Sequence, residues 1–269
     1  MSKNSLPIKM IIRIILFIIL TAITQIGGVV LILSEIWSNV WRWKHRLKPL
    51  ILFAVIYGVA TFMVVPLLAP LGGRTRVRHP CGIAPATWWT VLLNRNYVRP
   101  EMNNLLEAAQ QQLQPAHISM RYLDANFPFW DKFPLWPHLS HNDGKKLDIG
   151  FVYETKEDNI TDRQKSVSGY GVFEGPAADE PDQIQKCLDN GFYQYDIQKY
   201  LTFGKINSGL RFSPTGTKTL ISALLKTPSL GKMFIEPHLK QRLNLTDSRV
   251  RYHGCQAVRH DDHIHIQLK

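Results

Sequence analysis

Two segments far apart in the chain carry side chains suited to holding a metal ion. The first reads Ser140-His141-Asn142-Asp143-Gly144-Lys145-Lys146-Leu147-Asp148, and the second His260-Asp261-Asp262-His263-Ile264-His265. An open catalytic zinc site takes three protein ligands from His, Asp, Glu or Cys and leaves one position for water. Gly144 lets the chain turn between a loop histidine and an aspartate at a strand start, so His141 and Asp148 can reach one ion. Over 262–268 polarity alternates: Ile264, Ile266 and Leu268 face a core, while His263, His265 and Gln267 share the other side. Two imidazoles thus project from one rigid element, although both need not bind the metal. A lone strand histidine is more often structural than a ligand. Three histidines within six residues, with a spaced His and Asp, argue for zinc. His138, His238 and His253 belong to no such pattern and are read as structural.

Ser-His-x-x-Gly-x-x-x-Asp followed by a distant His-x-His resembles the zinc peptidase group that joins lysostaphin-type enzymes, D-alanyl-D-alanine peptidases and the hedgehog domain. Within that group the likeness is nearest to penicillin-insensitive murein endopeptidases, which also carry a histidine three residues before the pair, here His260. Arg95-Asn96-Tyr97 with Pro100, and Phe234-Ile235-Glu236-Pro237-His238-Leu239-Lys240, are weaker echoes, so the resemblance covers residues 92–269 in patches. It implies that His141, Asp148 and His265 are the ligands, that His263 is an unliganded histidine of the site, and that His260 stands beside it. It further implies hydrolysis of amide bonds in peptidoglycan stem peptides or cross-links. The Lys145-Lys146 pair departs from the less charged residues usual there. A metal-bound water has its pKa lowered toward ~7. His263 or His260 would stabilise the oxyanion or carry protons, with Asp262 or His260 as general base. Arg95 and Arg259 are candidates to hold a substrate carboxylate, with ion pairing inside the protein as the plain alternative.

The elements that must position these groups are legible in outline. A helix is expected from Pro100, where Leu105, Leu106, Ala109 and Leu113 recur at helical spacing. Residues 126–137 form an aromatic, proline-rich loop, and 147–153 read as a strand. A polar, glycine-rich insertion should fill 157–180, followed by helices near 183–187 and over 215–225 behind Ser213-Pro214. The expectation is an α+β domain over 79–269, with a small antiparallel sheet carrying the zinc site and helices at its flanks. Cys81, Cys187 and Cys255 lack C-x-x-C spacing, which disfavours a structural zinc knuckle. In an exported domain one disulfide would form; spacing does not choose the pair, and Cys187 with Cys255 is the one we name.

Upstream, residues 1–78 read as a membrane anchor. The runs 14–33 and 49–71 carry no charge, and at about 1.5 Å per residue each can cross a hydrocarbon core of roughly 30 Å. Two transmembrane helices are therefore expected, with 72–85 as a linker. The net charge of +11 is concentrated there: residues 1–78 hold ten basic and one acidic residue, against 22 and 20 in the remainder. That placement suits anionic lipid headgroups and disfavours nucleic acid as a partner. Flanking charge mildly favours both termini inside, because Lys3, Lys9, Arg13 and Arg74, Arg76, Arg78 outnumber the basic residues of 42–48. The substrate argues otherwise, since peptidoglycan lies outside the cytoplasmic membrane. The expectation is a multi-pass inner-membrane protein with N-terminus and domain in the periplasm. The rival reading is a hedgehog-like zinc domain without catalysis that binds cell wall or regulates a partner.

Overall fold

The computed structural model describes residues 5–41 and 45–269, so Lys3, Arg42 and Lys44 of the basic flanks lie outside the described residues. The apolar run 14–33 is not one helix. It is divided between helices Ser5–Thr24 and Gly27–Val40. Gln25 turns the chain with a left-handed φ of 66°, and Thr24 Oγ1 accepts from Gly27 N at 2.8 Å, satisfying a donor left free at the second helix's start. A Cβ on Gly28 would stand 2.1 Å from Thr21 Oγ1, so only glycine permits this tight return. Arg13 pairs with Glu35 at 3.0 Å across the two helices, which makes them antiparallel. The ends at Ser5 and Trp41 therefore lie on one side and the turn at Gln25 on the other. In place of two expected membrane helices, one helix among the described residues, Lys48–Gly72, is long and apolar enough to cross a membrane.

That long helix has a π-helical turn at Ala60–Val64 with a defined chemical cause. Val65 N bonds Ala60 O, five residues back, and the next residue in this register is Pro66, which has no N–H to offer Thr61 O. The vacant carbonyl accepts from the Arg76 guanidinium, which comes from the segment just past the helix. The stretch expected as a linker is thus woven into the domain. Thr75–Arg76 pairs antiparallel with Tyr97–Val98, and the buried Arg74 donates to Phe127 O, to Phe129 O at 3.0 Å and to Asp131. Gln25 joins the same loop, donating to Phe129 O at 2.9 Å and accepting from Phe129 N at 2.8 Å.

The domain is α+β. Its main sheet has six strands in the order Val250–Arg251, Leu230–Phe234, His263–Leu268, Lys146–Gly150, Met120–Tyr122, Ile83–Pro85. The four inner strands pair antiparallel, but both outermost strands join in parallel, so the sheet is mixed rather than purely antiparallel. Leu147, Ile149, Ile264 and Ile266 are fully buried in one core with Leu105 and Leu106 of helix Pro100–Leu113 and Leu220 and Leu224 of helix Pro214–Leu225. Each such side chain contributes about 1.5–3 kcal/mol by leaving water, which fixes the strands' register. Ser213 starts the second helix, its Oγ accepting from Gly216 N at 3.2 Å. The expected strand 147–153 stops at Gly150; Tyr153–Glu154 instead centres a three-stranded sheet with Ile160–Thr161 and Arg211–Phe212.

Helix Gln183–Asp189 begins at Asp182, whose Oδ1 accepts from Gln185 N at 2.8 Å. It is tied to the far end of the chain by a disulfide between Cys187 and Cys255, while Cys81 is a free, exposed thiol. The bridge closes a loop with a sequence separation of 68 and holds the strand-to-strand connection ahead of His260. Cys187→Ser should lower the unfolding free energy of the detergent-purified chain by about 2–5 kcal/mol. Urea titration with and without reductant checks this: reductant should weaken the native chain and leave the variant unchanged.

Candidate metal centre

His265 and Asp148 are direct partners across adjacent antiparallel strands. Because side chains alternate along a strand, this register puts both on the sheet face opposite the helices. His265 Nδ1 lies 2.8 Å from Asp148 Oδ1. His141 arrives from the loop before the strand, with its Nε2 3.2 Å from the same oxygen and 3.1 Å from His265 Nδ1. Gly144 makes this possible: its φ of 79° turns the chain toward Asp148, and its N–H donates to Asn126 Oδ1 at 3.1 Å. The three donor atoms form a triangle, all buried.

His138, read from sequence as structural, belongs to the same cluster. His138, His141 and Asp148 are a buried group whose donor atoms lie within 4.8 Å of one another and could hold a metal ion. His138 Nδ1 is 2.8 Å from Asp148 Oδ2, yet neither of its ring nitrogens makes a hydrogen bond. The remaining capacity of Asp148 Oδ2 is taken by Tyr170, whose hydroxyl donates at 2.8 Å. Tyr170 stays protonated because burial, then the charges of Asp124 and Asp148, push its pKa well up. Tyr170 and the carboxylate Asp124 were not singled out in the sequence. Both lie in segments without periodicity, Tyr170 between two glycines of the insertion, and no local signal marks them.

The donor set of the cluster fits a cation. His141 Nδ1 donates to Ala125 O at 2.6 Å, which turns its Nε2 toward the Asp148 carboxylate and His265. His265 is pushed down to about 3 by burial, reinforced by His141 and His263 against the pull of Asp148, so it is neutral at neutral pH. Burial alone would raise Asp148, but His141, His263 and His138 outweigh it and hold the carboxyl well below the usual range. The carboxylate oxygen and the two imidazole nitrogens lie 2.8–3.2 Å from one another. Two imidazoles and a carboxylate match the donor set of an open zinc site.

His263 lines the same cleft and is bound differently. Its Nε2 is 3.7 Å from Asp148 Oδ1, and its Nδ1 is 2.5 Å from Asp262 Oδ1. Burial opposes its charge, but Asp148 and Asp262 outweigh burial and raise it to about 9. Asp262 has both oxygens committed, Oδ1 to His263 and Oδ2 to Gly171 N at 2.6 Å, and is fully buried. It orients His263 and is not placed to act as a base. His260 stands with its ring centroid 5.0 Å from that of His263 and 5.7 Å from that of His265. Burial and the neighbouring histidines press its pKa well down, so it is neutral. His253 also lines the cleft, whereas His238 is structural, donating from Nε2 to Glu174 O at 2.8 Å.

Arg95 and Arg259 do not open onto this cleft. Arg95 grips Asp124 with two bonds of 2.7 Å, backing Tyr170 and through it Asp148. Arg259 is buried between Asp261 and Asp196 and stacked on Phe173. Arg95 lines the neighbouring cleft with Asp124, Trp136 and Pro137. The cleft has a volume of about 360 Å³, with Trp136, Leu139, Ile197 and Val258 on its walls and the histidines on its floor. No family model matches this chain, and no curated protein does either.

Glu236 braces the segment leading into the last strand, accepting from His260 N at 2.9 Å and from Tyr195 Oη at 2.6 Å. Burial, then the charge of Asp261, pushes it up to about 7 from an ordinary 4.5. A carboxyl with a raised folded-state pKa contributes stability that is fully present below its unfolded value and lost as pH rises through the folded one. Glu236→Gln should therefore flatten the decline in Tm between about pH 4.5 and 7, measured by scanning calorimetry on metal-free protein. An unchanged decline would assign that titration to another group.

Proposed function

We propose that this chain is a membrane-anchored zinc peptidase that hydrolyses amide bonds in peptidoglycan peptides. The observation that carries the reading is the buried triangle of His141 Nε2, Asp148 Oδ1 and His265 Nδ1, with sides of 2.8–3.2 Å. When bound, zinc supplies a Lewis acid and a water acidified toward pKa ~7. His141, Asp148 and His265 would hold it, with His138 in reach as a further donor. His263 would donate a hydrogen bond to the oxygen that becomes negative as the scissile carbonyl is attacked. Asp262 keeps that imidazole in place. His260, neutral, accepts the proton released in the attack and returns it to the leaving amine.

Replacing His141, Asp148 or His265 by Ala should abolish both zinc binding and hydrolysis of purified peptidoglycan, read by metal analysis and muropeptide release. His263→Ala should keep the metal and lose turnover by about 10²–10⁴, the range for one proton-transfer group. Loss of zinc in that variant would instead make His263 a ligand.

The helical hairpin also bears on topology. With Ser5 and Trp41 on one side of the hairpin, Ser5 shares a side with residues 45–48, opposite the end of Lys48–Gly72 that enters the domain. We infer from this a cytoplasmic N-terminal helix start in place of the periplasmic one expected from sequence. Lys9, Arg13, Arg46 and Lys48 then share the cytoplasmic side, in keeping with charge bias. A reporter phosphatase fused after Lys269 should be active and one fused before Ser5 inactive. The opposite pattern would refute the cell-wall role.

A further inference from the structure

The domain packs along half of the long apolar helix rather than at its end. Tyr57 donates to Leu92 O at 2.7 Å, Asn94 Nδ2 reaches Tyr57 Oη and Thr61 Oγ1 at 3.3 Å, and Arg76 donates to Thr61 O. From Thr61 to Gly72 the helix rises roughly 16 Å at 1.5 Å per residue, half of a hydrocarbon core of about 30 Å. A domain fastened at that level is sunk into the outer leaflet of a membrane that the helix crosses. Beside these polar contacts the domain exposes two tryptophans, Trp88 and Trp89. Phe62 of the helix with Trp88, Trp89, Val91 and Leu92 of the domain line a cleft of about 240 Å³, and Trp88 and Trp89 are 73% and 59% exposed.

From there an apolar route leads to the metal. Trp89 also lines a second cleft, of about 110 Å³, whose apolar walls are Leu93, Leu123, Leu201 and Phe203. That second cleft ends at Trp136 and Pro137, and the same two residues line the metal cleft beside His138. Trp89 joins the first cleft to the second, and Trp136–Pro137 joins the second to the third. Trp136 and Phe203 are both exposed, so the route is an open aromatic surface of the kind that marks a binding site.

We propose that the metal cleft takes its substrate from the bilayer, as a lipid-linked peptide. Its hydrocarbon chain lies along Trp89, Leu93 and Phe203, and its peptide reaches the metal cleft over Trp136–Pro137. This rests on the peptidase reading and narrows it from polymeric wall to membrane-borne precursor. Binding energy from the chain, remote from the reacting bond, raises kcat/KM for the linked peptide over the free one.

The test uses the full chain in liposomes with one stem peptide in two forms, free in solution and joined through a diphosphate to a polyprenyl chain. The linked form should be cut roughly tenfold faster or more, and Trp89→Glu and Phe203→Glu should each bring the ratio of rates toward one. Equal rates in the native chain would overturn the inference and leave the peptidase reading standing. If neither form is cut, the peptidase reading fails, and a readout independent of catalysis decides the inference. A polyprenyl diphosphate carrying a diazirine should cross-link to peptides containing Trp89 or Phe203. Cross-links confined to the helix Lys48–Gly72 would overturn it.

Discussion

The structure depends on a buried negative charge. Asp148 is fully enclosed, and an unpaired carboxylate in a protein interior costs several kcal/mol. Its compensation comes from a ring of groups on different segments: Tyr170 on one oxygen, His141 and His265 against the other, His138 and His263 close by. Burial holds His265 neutral, and the bond to Ala125 O orients His141 toward the carboxylate. The mixed sheet, the Gly144 turn and the Arg95–Asp124 pair all act to keep this carboxylate where a divalent ion can complete it.

A second constraint ties that centre to the N-terminal helices. Pro66 leaves Thr61 O without a donor, Arg76 fills it, and Arg74 and Gln25 both bind the loop that leads to His138. The loop's backbone groups at Phe127 and Phe129 are thus satisfied by the side chains of Arg74 and Gln25 rather than by regular structure. The N-terminal helices and the domain consequently share one set of hydrogen bonds, which fixes the cleft's position relative to the long helix. The hairpin turn at Gln25 is part of this fastening, which explains a polar, glycine-flanked break inside an otherwise apolar run.

Much of the centre was legible because its signals are local. Alternation over 262–268 put His263 and His265 on one face, and the glycine between His141 and Asp148 announced a turn. The two main helices carried 3.6-residue spacing and a Ser-Pro start. What escaped depends on contacts between distant segments. His138 sits in a proline-rich loop without periodicity, and Tyr170 in a glycine-rich insertion. The helix break at Gln25 escaped because an uncharged run looks continuous to a length argument; its causes are a side-chain bond to Phe129 and a close approach at Gly28. The parallel outer strands are two and three residues long, too short for any period to register. Sequence could not show that Asp124 pairs with Arg95, or Asp196 and Asp261 with Arg259.

The central claim is that Asp148 and its histidines hold zinc in an open site. Anomalous diffraction at the zinc edge, from crystals of the full chain grown with one equivalent of zinc, tests it most directly. One strong peak should lie within about 2.0–2.2 Å of His141 Nε2, Asp148 Oδ1 and His265 Nδ1, with at least one position open to solvent. A peak elsewhere, as at Cys81, or none at this cluster while zinc remains in excess, would contradict the account.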